Sequence, residues 1–166
     1  MSKPTVSIVM GSDSDLETMK EAAGILAKFG VAHELRVLSA HRSPNLLARY
    51  VRAAERGGVR VLIAGAGASA ALPGAVAALT TRPVLGVPLP SSHLQGLDAL
   101  LAIAQMPAGT PAAAFAIGTA GAKNAALFAV EILALSNRTL ADRLTAFKAS
   151  QEREVGKKDA KLRRQG

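Results

Sequence analysis

The chain has 166 residues, enough for one domain with a sizeable core. Its 49 % hydrophobic content is rich in Ala and Leu and poor in aromatics, and the absence of cysteine excludes a disulfide framework or a thiolate metal site. The net charge of +8 is uneven: five basic residues between Lys157 and Arg164 against Asp159 leave that tail at +4 and the rest of the chain at +4.

Met1-Ser2-Lys3-Pro4 leads straight into a short apolar run, without a signal-peptide pattern. No uninterrupted apolar stretch reaches transmembrane length. A soluble cytoplasmic protein without membrane contact is expected. The basic tail has the charge to meet nucleic acid but neither aromatics for stacking nor a nucleic-acid motif, so a solvated, frayed end is the better reading.

Val6–Met10, apolar and β-branched between Pro4 and Gly11, reads as a buried strand. After Gly11-Ser12-Asp13-Ser14-Asp15 comes a helical pattern with Leu16, Met19, Ala23, Leu26 and Ala27 on one face, closed by Gly30. Ala32–Leu38 is a second strand, and Pro44 to Arg56 a second helix ended by Gly57-Gly58. Val59–Ala64 is the most apolar strand; it empties into a loop of small residues, Gly65 to Gly74, ahead of a short helix near Ala75–Leu79.

Pro83–Val87 makes a fourth strand, followed by a Pro/Ser loop over Leu89–Ser92 and a helix around Leu94–Ala104. Pro111–Ile117 reads as a fifth strand. Ala120–Leu135 is a helix apolar on nearly every side, which implies burial in the core or between subunits. A last helix starts at Thr139 with Asp142 completing a capping box, carries Leu140, Leu144 and Phe147 as its stripe, and fades near Glu154. Strands alternating with helices specify one α/β domain over residues 1–156, with residues 157–166 as the tail. The expected architecture is three-layered: a flavodoxin-like parallel sheet of order 2-1-3-4-5 with helices on both faces. Ligands of such sheets bind at the carboxyl ends of the strands, by the switch point between strands one and three.

Ser39-Ala40-His41-Arg42-Ser43-Pro44 lies at that rim. His41 can carry a proton near neutral pH. Arg42 offers a planar cation for phosphate or carboxylate. Ser43 is placed to cap the following helix, with Pro44 at its first position. The Gly11–Asp15 loop favours an anion at a helix N-terminus, or else is a capping loop with Ser12, Asp13 or Ser14 as cap. The Gly65–Gly74 loop lacks both the Gly-Lys-Ser/Thr ending of a phosphate loop and a dinucleotide fingerprint, but its small side chains let backbone approach a flat ligand. His33 reads as structural or solvated, and His93 as a solvated loop residue. Three separated histidines without ligand spacing make no zinc site, and no Gly-x-Ser-x-Gly elbow exists for a hydrolase.

Together, Val9-Met10-Gly11-Ser12-Asp13-Ser14-Asp15, Ser39-Ala40-His41-Arg42, and Gly65-Ala66-Gly67 with Leu72-Pro73-Gly74 resemble the class I N5-carboxyaminoimidazole ribonucleotide mutases of purine biosynthesis. Pro83–Pro88, Gly96-Leu97-Asp98, Gln105-Met106-Pro107, Ala116-Ile117-Gly118 and Ala125-Ala126-Leu127 extend the likeness over about Val6 to Val155. The resemblance implies a homo-octamer whose C-terminal helices pack on neighbouring subunits, acting on an imidazole ribonucleotide without metal, organic cofactor or ATP. It makes His41 the proton carrier. Ser12 and Asp15 would contact the ribose–phosphate, assisted by Ser39 and Arg42, while Ala66 and Gly67 line the carboxylate or carbon dioxide position. One departure stands out: the family usually carries His just before Leu-Pro-Gly, where this chain has Ala71. That leaves two alternatives open, a carboxylase using free carbon dioxide and a non-catalytic ribotide-binding paralogue.

Overall fold

The run Val6–Met10 has no polar face to offer solvent, and it becomes the centre of a sheet. In the computed structural model, which describes residues 3–91 and 93–164, this strand (β1) is buried along its whole length. It pairs in parallel with β2 (His33–Val37) on one side and β3 (Val61–Gly67) on the other. β4 (Val84–Leu89) and a two-residue β5 (Ala113–Ala114) complete an all-parallel sheet in the order β2-β1-β3-β4-β5, as expected from the sequence. Residues 1, 2, 165 and 166 and Ser92 of the loop after β4 lie outside the described residues.

The helices are α1 (Leu16–Lys28), α2 (Pro44–Gly57), α3 (Leu72–Ala77), α4 (Leu97–Ala104), α5 (Thr119–Ala134) and α6 (Arg138–Arg163). Leu47, Val51 and Ala54 of α2 share one core with Leu72 and Val76 of α3, Ala99 and Ile103 of α4, and Val9, Leu62, Ala64 and Val84 of the sheet. On the other face Met19 of α1 lies so close to Gly65 that a Cβ there would sit 2.5 Å from its sulfur. The Lys123–Glu21 ion pair, at 3.1 Å, joins α5 to α1. Near the opposite end of the sheet the Tyr50 hydroxyl of α2 donates to Glu34 Oε1 at 2.8 Å and meets the buried Ser7 hydroxyl of β1. Burial pushes the Tyr50 phenol well above its ordinary range, so it stays a neutral donor and fixes α2 against β1 and β2.

Two compact units divide the chain, residues 1–129 and 130–166. In the second, Val130, Leu133, Leu140 and Leu144 are buried and Lys148 pairs with Glu131 at 3.5 Å. Helix geometry runs on to Arg163, past the point near Glu154 where the apolar stripe ends, so the described part of the expected frayed tail is helical. Its Lys, Arg, Leu and Ala residues are good helix formers, and Lys157 pairs with Glu154 at 2.8 Å.

Other expected boundaries move as well. The cap of α6 is Asn137, whose Oδ1 accepts from the Leu140 N–H at 3.2 Å; Asp142 instead pairs with Arg138, so the Thr139–Asp142 box does not form. β3 starts two residues later than expected and continues through Gly67. α3 begins at Leu72 rather than Ala75, and α4 at Leu97 rather than Leu94, because Gln95 and Gly96 adopt left-handed backbone. β5 shrinks from the seven residues expected to Ala113–Ala114. In α5, Ala122, Ala125, Ala126, Ala129, Val130 and Leu133 are buried, whereas Phe128 and Leu135 are exposed.

Candidate active site

Each of the first three strands ends in a short segment that turns into a helix, and the three segments meet over the sheet's carboxyl edge. After β1, Ser12 is extended and caps a single 3₁₀ turn, Asp13–Asp15, that leads into α1. The box is reciprocal: the Ser14 N–H donates to Ser12 Oγ at 3.3 Å, and the Ser12 N–H donates to Asp15 Oδ2 at 3.2 Å. The capping reading of this loop therefore holds for Ser12, and it leaves Asp15 half-buried at the mouth of the site. Burial is the largest influence on that carboxyl group; it outweighs the hydrogen bonds from Ser12 and Ser14 and raises the pKa above the ordinary 3.8.

The second rim segment is held by its serines. Ser39 Oγ accepts from the Arg42 N–H at 3.1 Å and from Arg42 Nε at 3.4 Å. The Ser43 hydroxyl donates to the Ser39 carbonyl and accepts the Ser39 N–H, both at 3.1 Å. Ser43 thus occupies the cap position of α2, with Pro44 first in the helix as expected, but its side chain serves the loop rather than the helix. Arg42 Nη2 reaches across to the Gly11 carbonyl at 2.8 Å and ties this segment to the first. His41 projects at the apex, exposed, and its ring makes no hydrogen bond among the described residues.

The third segment is Gly67–Ala71. Ala68 and Ala70 hold positive φ angles of 41° and 38°, where an alanine is strained, and the Ala70 N–H closes the turn onto the Gly67 carbonyl at 2.9 Å. Gly65 is not part of this loop: it pairs with Met10 and Val87 inside the sheet.

A cavity of about 350 Å³ lies between the three segments. Every sequence-derived site residue lines it: Ser12, Asp15, Ser39, His41, Arg42, Ala66 and Gly67. Ala71 is in the same wall. His33 is elsewhere, with Nδ1 against the Val31 carbonyl at 2.9 Å, and the exposed His93 does not line the cavity. Two further hydroxyls in the wall, Ser69 and Ser91, escaped the sequence reading. For Ser91 the available signal was its place just past β4, at the same carboxyl-end rim as the other loops. The arrangement offers an imidazole for proton transfer, a guanidinium and helix-start N–H groups for an anion, a carboxylate for hydroxyls, and a wall of small residues.

Comparison with known proteins places these features in a family. The family model described as AIR carboxylase matches residues 5–154. The N5-carboxyaminoimidazole ribonucleotide mutase of Saccharolobus solfataricus is 51 % identical over 152 residues, covering 92 % of this chain and 95 % of that protein. The Vibrio cholerae protein of the same name is 52 % identical over 151 residues, with 91 % and 94 % covered. The crystal structure of Treponema denticola PurE superposes with a TM-score of 0.88 at 30 % identity, covering 96 % of this chain and 98 % of that one.

Proposed function

The chain belongs to the AIR carboxylase family, and from that premise we propose that it is an isomerase of purine biosynthesis, interconverting N5-carboxyaminoimidazole ribonucleotide and 4-carboxyaminoimidazole ribonucleotide. The observation that carries this reading is the meeting of three rim segments around one cavity, with His41 and Arg42 side by side on its wall.

The exocyclic nitrogen–carboxyl bond breaks, releasing carbon dioxide, and the nitrogen takes a proton. Carbon 4 of the electron-rich aminoimidazole then attacks carbon dioxide, and the new carbon–carbon bond leaves carbon 4 carrying both a carboxylate and a proton. Loss of that proton restores aromaticity. One proton leaves carbon 4 and one is gained by nitrogen, so a single imidazole at His41 serves both transfers and ends unchanged. Carbon dioxide must stay near carbon 4 between the two steps. Ala66, Gly67 and Ala70 are small residues of the cavity wall, and a ribotide seated against them would leave carbon dioxide little room to diffuse. Ser12 and Asp15 hold the ribose–phosphate, assisted by Ser39 and Arg42.

Residues 1–156 form the catalytic unit and residues 157–166 lie outside its chemistry. The subunits assemble as a homo-octamer in the cytoplasm, with their C-terminal helices on neighbours. Leu97 and Leu101 support assembly, since both are at least half exposed and lie four residues apart on one side of α4, with Leu94 exposed just before the helix.

The test is interconversion of the two carboxylated ribotides by purified protein without added ATP or metal. Wild-type protein interconverts them, and His41→Asn loses roughly 10²–10⁴-fold in kcat, the range of a lost acid–base group. Its melting temperature stays unchanged, because an exposed ring without hydrogen bonds contributes little to stability. Wild-type protein that leaves both ribotides unaltered rejects the assignment.

A further inference from the structure

We infer that Ser91 is a fourth rim contact, its hydroxyl donating to the carboxylate that the reaction relocates; the inference rests on the ribotide reading of the cavity. β3 and β4 run side by side to their ends, with Gly67 opposite Leu89. Past Leu89 the chain folds back at once, the Ser91 N–H donating to the Leu89 carbonyl at 2.9 Å. This return lays the Ser91 side chain over Gly67. A Cβ on Gly67 would overlap the Ser91 hydroxyl and lie 2.7 Å from the Ser91 Cβ. Gly67 has no positive φ, so its lack of a side chain serves space rather than backbone freedom. The space it frees holds a hydroxyl.

That hydroxyl lines the cavity beside Ala66 and Gly67, and among the described residues it makes no hydrogen bond. A side chain fitted this closely yet left without an acceptor is suited to a ligand acceptor at the same point. The guanidinium of the cavity belongs to the second rim segment, on the side of Ser12, Asp15 and Arg42. The wall at Gly67 contributes no charged side chain, so an O–H donor there supplies what a carboxylate needs without opposing its release as neutral carbon dioxide. Hydrogen bonds to ionised acceptors are the stronger ones, and donation weakens as the carboxylate loses its charge. Ser91 therefore distinguishes carboxylated from uncarboxylated ribotide.

The experiment measures equilibrium binding of 4-carboxyaminoimidazole ribonucleotide and of aminoimidazole ribonucleotide to wild type and to Ser91→Ala. The exposed position of Ser91 lets the variant fold, which its melting temperature checks. The expected result is a loss of about tenfold or more in affinity for the carboxylated ribotide, the size of a hydrogen bond to a charged group, with affinity for the uncarboxylated one unchanged. Equal losses for both ligands, or none for the carboxylated one, overturn the Ser91 assignment while leaving the ribotide reading intact. Failure of the wild-type protein to bind either ribotide overturns the ribotide reading itself, and the role of Ser91 with it.

Discussion

Asp15 sits in a compromise that its neighbours do not share. Its carboxylate closes the capping box with Ser12, which favours the ionised form, yet burial at the cavity mouth outweighs that and raises its pKa. A carboxyl group that is harder to ionise folded than unfolded stabilises the fold below its ordinary pKa. That contribution is lost as pH rises through the higher folded value. Asp15→Asn keeps an oxygen for the Ser12 N–H and removes the ionisation. Urea unfolding across the acid range is expected to show parent and variant alike at low pH, with the variant gaining on the parent as pH rises above the ordinary carboxylate value. Activity moves the other way, since the proposed contact to ribose hydroxyls loses its charged acceptor and KM rises. A carboxyl group that burial makes harder to ionise at the mouth of a cavity is suited to contact a ligand there.

At the scale of elements, α5 and α1 make opposite predictions for the same substitution. A Cβ on Gly121, in the first turn of α5, would overlap the Ala116 carbonyl oxygen and lie 2.7 Å from its carbonyl carbon. Both are backbone atoms, so Gly121→Ala must displace the helix start, at a cost of about 1–3 kcal/mol by analogy with overpacked cores. Gly24, exposed in the middle of α1, has nothing within 4 Å of its missing Cβ, and Gly24→Ala is expected to stabilise by about 0.5–1 kcal/mol. Denaturant titration of the two variants checks both signs. The same contrast explains how far the sequence could be read. β1, α1 and α2 were legible because β-branched runs, an amphipathic stripe and positive-φ glycines at Gly30 and Gly58 agree locally. Gly65-Ala66-Gly67 reads as loop by composition, yet the ladder continues through it. β4 runs alongside to Leu89, and Met19 and Ser91 need the space that small residues leave. The site residues on β1 and β2 loops were visible as side chains with chemistry. Ser91 was not, because its meaning lies in a backbone reversal and in the absence of a side chain twenty-four residues earlier.

For the whole molecule, the charge and the exposed apolar surface lead to different expectations. Lys157, Lys161 and Arg164 stand on one side of the last turns of α6, around Ala160. These turns lie outside the proposed catalytic unit, and a chain ending at Gly156 drops from +8 to +4. It is expected to keep its ribotide activity within about twofold, as changes on a solvated surface usually do. The apolar surface is less dispensable. Leu97 and Leu101 are 50 % and 51 % exposed in the single chain, two large side chains four residues apart on one side of α4, and Leu94, just before the helix, is 60 % exposed. A patch of this kind on a well-packed domain is normally covered by a partner, and in the proposed octamer the partner is another copy of the chain. Light scattering of the wild-type protein should give a particle of eight 17.0 kDa chains. Leu97→Glu combined with Leu101→Glu places two charges where that interface would bury them, and should yield smaller particles with unchanged secondary structure. An octamer that survives both substitutions shows that the subunits meet through another surface.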